Sequence, residues 1–135
     1  MLTRKFPGRY ASLAEIEDFI TQIIVEVGFS PAQVYEIRLA IVEACTNIIE
    51  HGYGDEGIGE IVCSGESIEE GVKIIIKDWG KKFDPDQIAD PDFDVHLEDL
   101  QTRGAGLFLM KNLMDEVQFD FDNSEGNTLI MTKRK

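Results

Sequence analysis

Apolar positions recur along this chain at two spacings, and the change from one to the other marks its elements. From Leu13, the residues Ile16, Phe19, Ile20, Ile23 and Ile24 fall at three- and four-residue steps. At roughly 100° per residue these steps build one apolar stripe on a helix. Ser12 stands before the run as a cap and Gly28 closes it. A second stripe, Ile37, Ile41, Ala44, Cys45 and Ile48, lies in a helix predicted from Ser30 to His51. Its start carries three signals: Ser30 as cap, Pro31 at the first helical position and Gln33 to complete a capping box. The glycine-rich run from Gly52 to Gly59 then turns the chain. Ile61 and Cys63 predict a strand up to Ser64, followed by a turn from Gly65 to Gly71 and a β-prone run from Val72 to Lys77. These two strands are expected to pair as a hairpin, and Leu2 to Phe6 reads as a short edge strand. From Phe83 to Glu98 acids and two prolines interrupt all periodicity, which predicts a mobile loop. Leu107, Phe108, Met110, Leu113 and Met114 restore the helical step until about Asp115. Val117, Phe119 and Phe121 alternate with polar residues, Asn123 to Gly126 turns, and Asn127 to Thr132 returns as the last strand.

A chain of 135 residues with this many elements is one domain, spanning 1–135, with room for a core. The formal net charge of −13 disfavours nucleic acid as a direct partner and leaves a basic protein partner open. No apolar run follows the basic N-terminal residues, so neither a signal peptide nor a membrane span is expected, and the chain reads as cytoplasmic. Cys45 and Cys63 lack metal-ligand spacing and a disulfide framework, and are expected to be buried reduced thiols. His51 and His96 have no close co-ligands.

The chemistry gathers on the second helix. Its polar face carries Glu36, Glu43, Asn47 and Glu50, with Glu43 and Asn47 one turn apart. Such a pair is usually only solvated, but Asn is a mediocre helix former, and Asn47 sits among Ala44, Cys45, Ile48 and Ile49. An amide oxygen is a hard neutral ligand for Mg²⁺, and a neighbouring Glu can take a proton from an attacking hydroxyl. That combination suggests phosphoryl transfer. Asp78 ends a strand, where an Asp is commonly a turn former; a fixed carboxylate there also suits the exocyclic amine of adenine. Gly80 allows a flat base to approach the backbone. In the stretch Arg103, Gly104, Ala105, Gly106 and Leu107, the two glycines open a helix and let amides face phosphate oxygens. Arg103 and Lys111 offer positive charge to the same group, and Thr128 offers a hydroxyl near the base.

Taken in order, Glu43 and Asn47 on a helix, Asp78 with Gly80, Gly104 with Gly106, and Gly126 with Thr128 resemble the nucleotide-binding boxes of the GHKL ATP-binding superfamily, which includes gyrase B, Hsp90 and histidine kinases. More narrowly, the runs Ile37 to Asn47, Gly104 to Met110 and Leu113 to Val117 are similar to those of bacterial anti-sigma-factor serine kinases. The resemblance covers nearly the whole chain. It implies an α+β fold, the two-layer Bergerat α/β sandwich, with a mixed, mostly antiparallel sheet and helices on one face. It implies Glu43 as general base, Asn47 as the Mg²⁺ ligand through the ATP phosphates, Asp78 as adenine reader with Gly80 beside it, residues 103–107 as the phosphate lid and Thr128 as a base-side contact. The chain departs from the pattern at Lys82, where the superfamily commonly has another glycine.

The function implied is a serine-protein kinase that uses ATP and Mg²⁺ to phosphorylate an anti-anti-sigma factor. The same chain would otherwise sequester a sigma factor, as a homodimer without direct nucleic-acid or membrane binding. The rivals are a nucleotide-gated binding module without turnover, and a switch kinase acting on another serine-bearing regulatory scaffold. A histidine kinase is disfavoured because no dimerisation helix bearing a phosphoacceptor histidine precedes Ser30.

Overall fold

The computed structural model describes residues 1–81, 109–120 and 126–135. The predicted loop from Phe83 to Glu98, Lys82, His96, the 103–107 lid and most of the last turn lie outside them.

β1 (Leu2–Pro7) leads through a 3-10 turn (Tyr10–Ser12) into α1 (Leu13–Ile24), and a second 3-10 turn (Val25–Val27) ends at Gly28 with φ 89°. Gly28 therefore supplies the left-handed stop expected of it. Ser12 is not the cap. The chain is already helical from Tyr10, so Ser12 sits at φ −78°, ψ −16° and makes no capping bond with its side chain. α2 (Pro31–Asn47) starts as predicted: Gln33 N donates to Ser30 Oγ, and Ser30 N donates to Gln33 Oε1. Its predicted stripe is buried, with Ile37, Ile41, Ala44 and Cys45 at most 1 % exposed.

β2 (Glu60–Ile68) and β3 (Gly71–Asp78) form the expected hairpin, but β2 does not stop at Ser64. Ile68 pairs with Gly71, so only Glu69 and Glu70 make the turn, and Glu70 accepts φ 60° to do so. Gly65 is inside the strand because α1 lies across it: a Cβ there would meet Ile23 Cδ1 at 2.6 Å. The close approach of helix to sheet is the reason for the glycine.

A short helix, α3 (residues 109–113), precedes β4 (Glu116–Asp120) and β5 (Asn127–Arg134). The sheet order is β1-β2-β3-β5-β4, and every described ladder is antiparallel. Alternation decides the faces: Ile61, Cys63, Ile74, Ile76, Leu129 and Met131 point at the helices and are buried, whereas Lys73, Lys77 and Gln118 sit on the intervening positions. The result is a two-layer α+β sandwich with helices packed on one side of the sheet. Cys45 and Cys63 are buried free thiols, and a hydrogen bond with Cys63 together with burial pushes the Cys45 thiol well above its ordinary range. No helix among the described residues is long and apolar enough to cross a membrane.

Removing the two serines separates cap from non-cap. Ser30→Ala should lower the free energy of unfolding by ~1 kcal/mol, and Ser12→Ala by well under half of that. Urea denaturation of both variants measures this, and equal losses would contradict the capping assignment.

Candidate active site

α2 does not end at His51. Its last turn widens into a π-helical turn (Ile48–Tyr53) and closes at Gly54 with φ 86°. The widening carries Gly52 onto the end of β3. A Cβ on Gly80 would lie 2.5 Å from the Gly52 carbonyl carbon, and Lys81 N donates to Gly52 O at 2.6 Å. The Tyr53 hydroxyl accepts from Trp79 N at 3.0 Å and donates to Glu60 O at 2.6 Å. Burial first, with the Asp78 charge adding to it, raises the Tyr53 phenol above its ordinary range. One helical turn thus holds residues 79–81 on two sides.

Asp78 is held as tightly. It is 7 % exposed, and its Oδ1 accepts from Gly80 N at 2.8 Å and from Asn127 Nδ2 at 3.0 Å. Asn127 is the partner of Asp78 across the β3–β5 ladder, and its Nδ2 also donates to Gly80 O at 3.0 Å. These two acceptors fix the amide orientation, since the reverse would set Oδ1 against a carboxylate and a carbonyl. Asn127 Oδ1 is left buried with no partner among the described residues. An orphaned buried acceptor costs roughly 1–3 kcal/mol.

These residues border a cleft between the helix layer and the sheet. Its polar edge is Asn47, Asp78, Lys81, Asn127 and Thr128. Its walls are apolar: Ala44 and Ile48 from α2, Met110 from α3, Phe119 from β4 and Leu129 from β5.

The structure therefore brings Asn47, Asp78 and Thr128 together and places Gly80 directly behind Asp78. Glu43 is half-buried on α2, one turn before Asn47, and does not line the cleft. Lys111 is exposed on α3. Arg103, Gly104, Ala105, Gly106 and Leu107 lie outside the described residues. Two residues escaped the sequence reading. Asn127 had a weak signal, an Asn opening a strand where β-branched residues serve better; Lys81 had only its place after Gly80.

The lining suits a purine nucleotide. Apolar walls can take the faces of a flat ring while the Asp78 carboxylate takes a donor at its edge, and Gly80, pressed on Gly52, leaves no side chain in the way. For a metal ion, Asn47 offers an amide oxygen. Among the described residues no group of three or more His, Cys, Asp or Glu converges, so an ion here would draw most of its ligands from phosphate and water.

Fold and cleft together define a two-layer α/β sandwich with a cleft between its layers, and comparison with known proteins identifies the class. The profile of the histidine kinase-like ATPase domain matches residues 6–133. The serine-protein kinase RsbW of Bacillus cereus (strain Q1) is 33 % identical over 133 residues, covering 96 % of this chain and 81 % of that protein. RsbW of Bacillus thuringiensis subsp. konkukian (strain 97-27) matches with the same identity and coverage. Among solved structures, the RsbU and RsbW domains of a Mycobacterium tuberculosis protein superpose with a TM-score of 0.64 at 16 % identity, covering 99 % of this chain and 32 % of that one. The catalytic domain of histidine kinase ThkA gives a TM-score of 0.58 at 15 % identity, covering 100 % of this chain and 97 % of that one; both likenesses show the shared fold. The chain belongs to the histidine kinase-like ATPase family and is an ATP-dependent protein kinase.

The two glycines of this backbone contact respond differently to a methyl group. Gly80→Ala drives a Cβ into the Gly52 backbone and should destabilise by about 1–3 kcal/mol. Gly52→Ala meets its nearest neighbour, Asp78 Oδ1, at 3.6 Å, and should stay within about 1 kcal/mol of the parent protein. Thermal melts with and without ATP test the pair, and a Gly80→Ala protein as stable as the parent would contradict the close contact.

Proposed function

We propose that this kinase transfers the γ-phosphoryl group of ATP to a serine of a regulatory protein, with Glu43 as the base. The observation that carries the proposal is the placement of Asn47 in the same cleft as Asp78, with Glu43 one turn along the same helix. A base belongs where the phosphoryl group reacts, not where the purine is read. The four residues from Asn47 to Glu43 move it about 6 Å along the helix axis, out of the purine end of the cleft.

In this scheme adenine sits against Asp78 and Gly80, and its rings lie between Ile48, Met110 and Leu129. Thr128 adds a contact beside the base. The phosphates extend past Asn47 toward the 103–107 stretch, where Arg103 and the amides of Gly104, Ala105, Gly106 and Leu107 would receive them. Lys81 adds positive charge at the cleft. Mg²⁺ bound to the phosphates would take the Asn47 amide oxygen as a protein ligand and offset the charge developing on the leaving oxygens. Glu43 accepts the proton of the serine hydroxyl as that oxygen bonds to the γ-phosphorus and the bond to the bridging oxygen of ADP breaks.

The relatives' name, serine-protein kinase, supports a serine as the acceptor. Together with the resemblance at Ile37 to Asn47, this supports an anti-anti-sigma factor as the phosphorylated partner and a sigma factor as the protein held in its place. A cytoplasmic homodimer is the form that the resemblance implies.

Glu43→Gln should leave ATP affinity within about twofold and lower transfer by roughly 10²–10⁴-fold. Incubation with labelled ATP, Mg²⁺ and a co-purified partner reads both quantities, and undiminished transfer would remove Glu43 from its role. Tight ATP binding by the unaltered protein with no transfer to any partner would favour a nucleotide-gated binding module instead. Asn47→Ala should weaken ATP binding about tenfold with Mg²⁺ present and leave it unchanged in a chelator. Equal losses in both conditions would show that the amide acts otherwise than through the metal.

A further inference from the structure

We propose that Lys133 is a positioning residue for ATP: its ammonium group ties the end of α3 to α2 and so sets the gap into which the nucleotide is received. The inference rests on the cleft being the ATP site and goes beyond it in assigning nucleotide affinity to a residue outside the cleft.

The cleft lies between these two helices. Ala44, Asn47 and Ile48 line it from α2, and Met110 lines it from α3. α2 is long, capped and packed on the core, so its own contacts fix its place. α3 is different. Its five residues, 109–113, are too few to hold a helix by backbone bonds alone, so tertiary contacts must set where it lies. Met110 and Met114 supply burial, which is non-directional, and their unbranched side chains adapt to small displacements. The directional bonds come from the end of β5. Asp115 N donates to Thr132 O at 2.9 Å, and Arg134 N donates to Asp115 Oδ2 at 2.6 Å, which holds the chain just beyond α3 to the strand. Lys133, between them, reaches into the helix layer. Its Nζ donates to Leu113 O at 2.5 Å and to Glu36 Oε2 at 2.6 Å. One group thus holds the last residue of α3 and a side chain of α2 together.

Two further observations give the tie a purpose. On the inner face of β5 the positions before Lys133 are Leu129 and Met131, and its partner across the β3–β5 ladder is Val72, all buried apolar residues. An apolar side chain would serve the core at Lys133 too, whereas an ammonium group only 10 % exposed is costly unless paired. The position therefore calls for what the charge binds. Leu113 is also only three residues from Met110, about 4.5 Å along a helix axis. A displacement at the tie reaches the cleft wall within one turn, because packed side chains transmit strain.

Lys133→Met keeps the apolar stem and removes the ammonium group, and Glu36→Ala removes the other end. Each variant is checked for folding by circular dichroism and studied well below its melting temperature. Calorimetry should show ATP and ADP both bound about tenfold more weakly by either variant, a loss of ~1.4 kcal/mol, because the wall faces the part the two nucleotides share. In phosphate transfer to a co-purified partner the loss should appear in the KM for ATP, with the rate at saturating ATP within about twofold of the parent's. The double variant should bind no more weakly than Lys133→Met, since both side chains form one tie. Glu36→Gln keeps an oxygen for the ammonium group and should stay within about threefold of the parent. The carbon-13 methyl resonance of Met110 should shift in both Lys133→Met and Glu36→Ala. Parent-like affinity in the folded variants, additive losses in the double variant, or an unmoved Met110 resonance would each overturn the proposal. Either end of the tie decides if the variant at the other does not fold. A parent protein that binds neither nucleotide would overturn the ATP-site reading along with this one, whereas parent-like affinity in folded variants of an ATP-binding protein would overturn only the positioning role.

Discussion

The backbone contact between Gly52 and Gly80 is the constraint on which the rest of the site depends. It joins the last turn of α2 to the end of β3, with Lys81 N bonded to Gly52 O at 2.6 Å and no room for a side chain on Gly80. Three groups of the cleft's polar edge are referred to these two elements: Asn47 to the helix, Asp78 and Lys81 to the strand end. A helix that stopped at His51 would leave residues 79–81 without their second support. The π-helical widening of Ile48–Tyr53 is therefore functional geometry rather than fraying. It extends the helix far enough for Gly52 and Tyr53 to grip the segment after Asp78.

β5 performs the corresponding task from the other layer, and it does so at both ends. At its start, Asn127 ties Asp78 to Gly80. Near its end, Lys133 Nζ reaches Glu36 Oε2 at 2.6 Å and the Leu113 carbonyl at 2.5 Å. Glu36 lies in the first turns of α2 and Leu113 closes α3, so one buried ammonium group fixes α2, α3 and the sheet at the end away from the cleft. A charge in such a place is stable only when paired and hydrogen-bonded. The carboxylate supplies the countercharge, and the carbonyl satisfies a second donor at a helix C-terminus, where positive charge is favoured.

The sequence was most legible where local chemistry decides structure. The Ser30–Gln33 capping box, the buried stripe from Ile37 to Cys45, the hairpin and the gathering of Asn47 with Asp78 are all consequences of spacing and side-chain type. It was least legible where a distant element decides. Ser12 loses its capping role because the chain is already turning at Tyr10. Gly65 reads as a turn until α1 is seen to lie across the strand, with Ile23 over the missing Cβ. Thr128 was the natural site residue of the last strand by type, and it does line the cleft. Yet the residue bonded to Asp78 is its neighbour Asn127, because an antiparallel register sets which of two adjacent side chains faces the helices.

Charge presents the last physical problem of the site. A protein of formal net charge −13 must receive a polyanionic nucleotide, and the cleft is already lined by a carboxylate, Asp78. Asp78 is tolerable there because two N–H donors, Gly80 N and Asn127 Nδ2, converge on one of its oxygens. The phosphates need the opposite treatment. Within the described residues the cleft offers them one lysine, Lys81, and one amide, Asn47, and no further cation lines it. In the scheme proposed above, the remaining neutralisation comes from a metal ion carried with the phosphates and from Arg103. That scheme divides the work along the chain: the junction of Gly52 with Gly80 holds the groups proposed to read the base, and the groups proposed to meet the phosphates come from other segments.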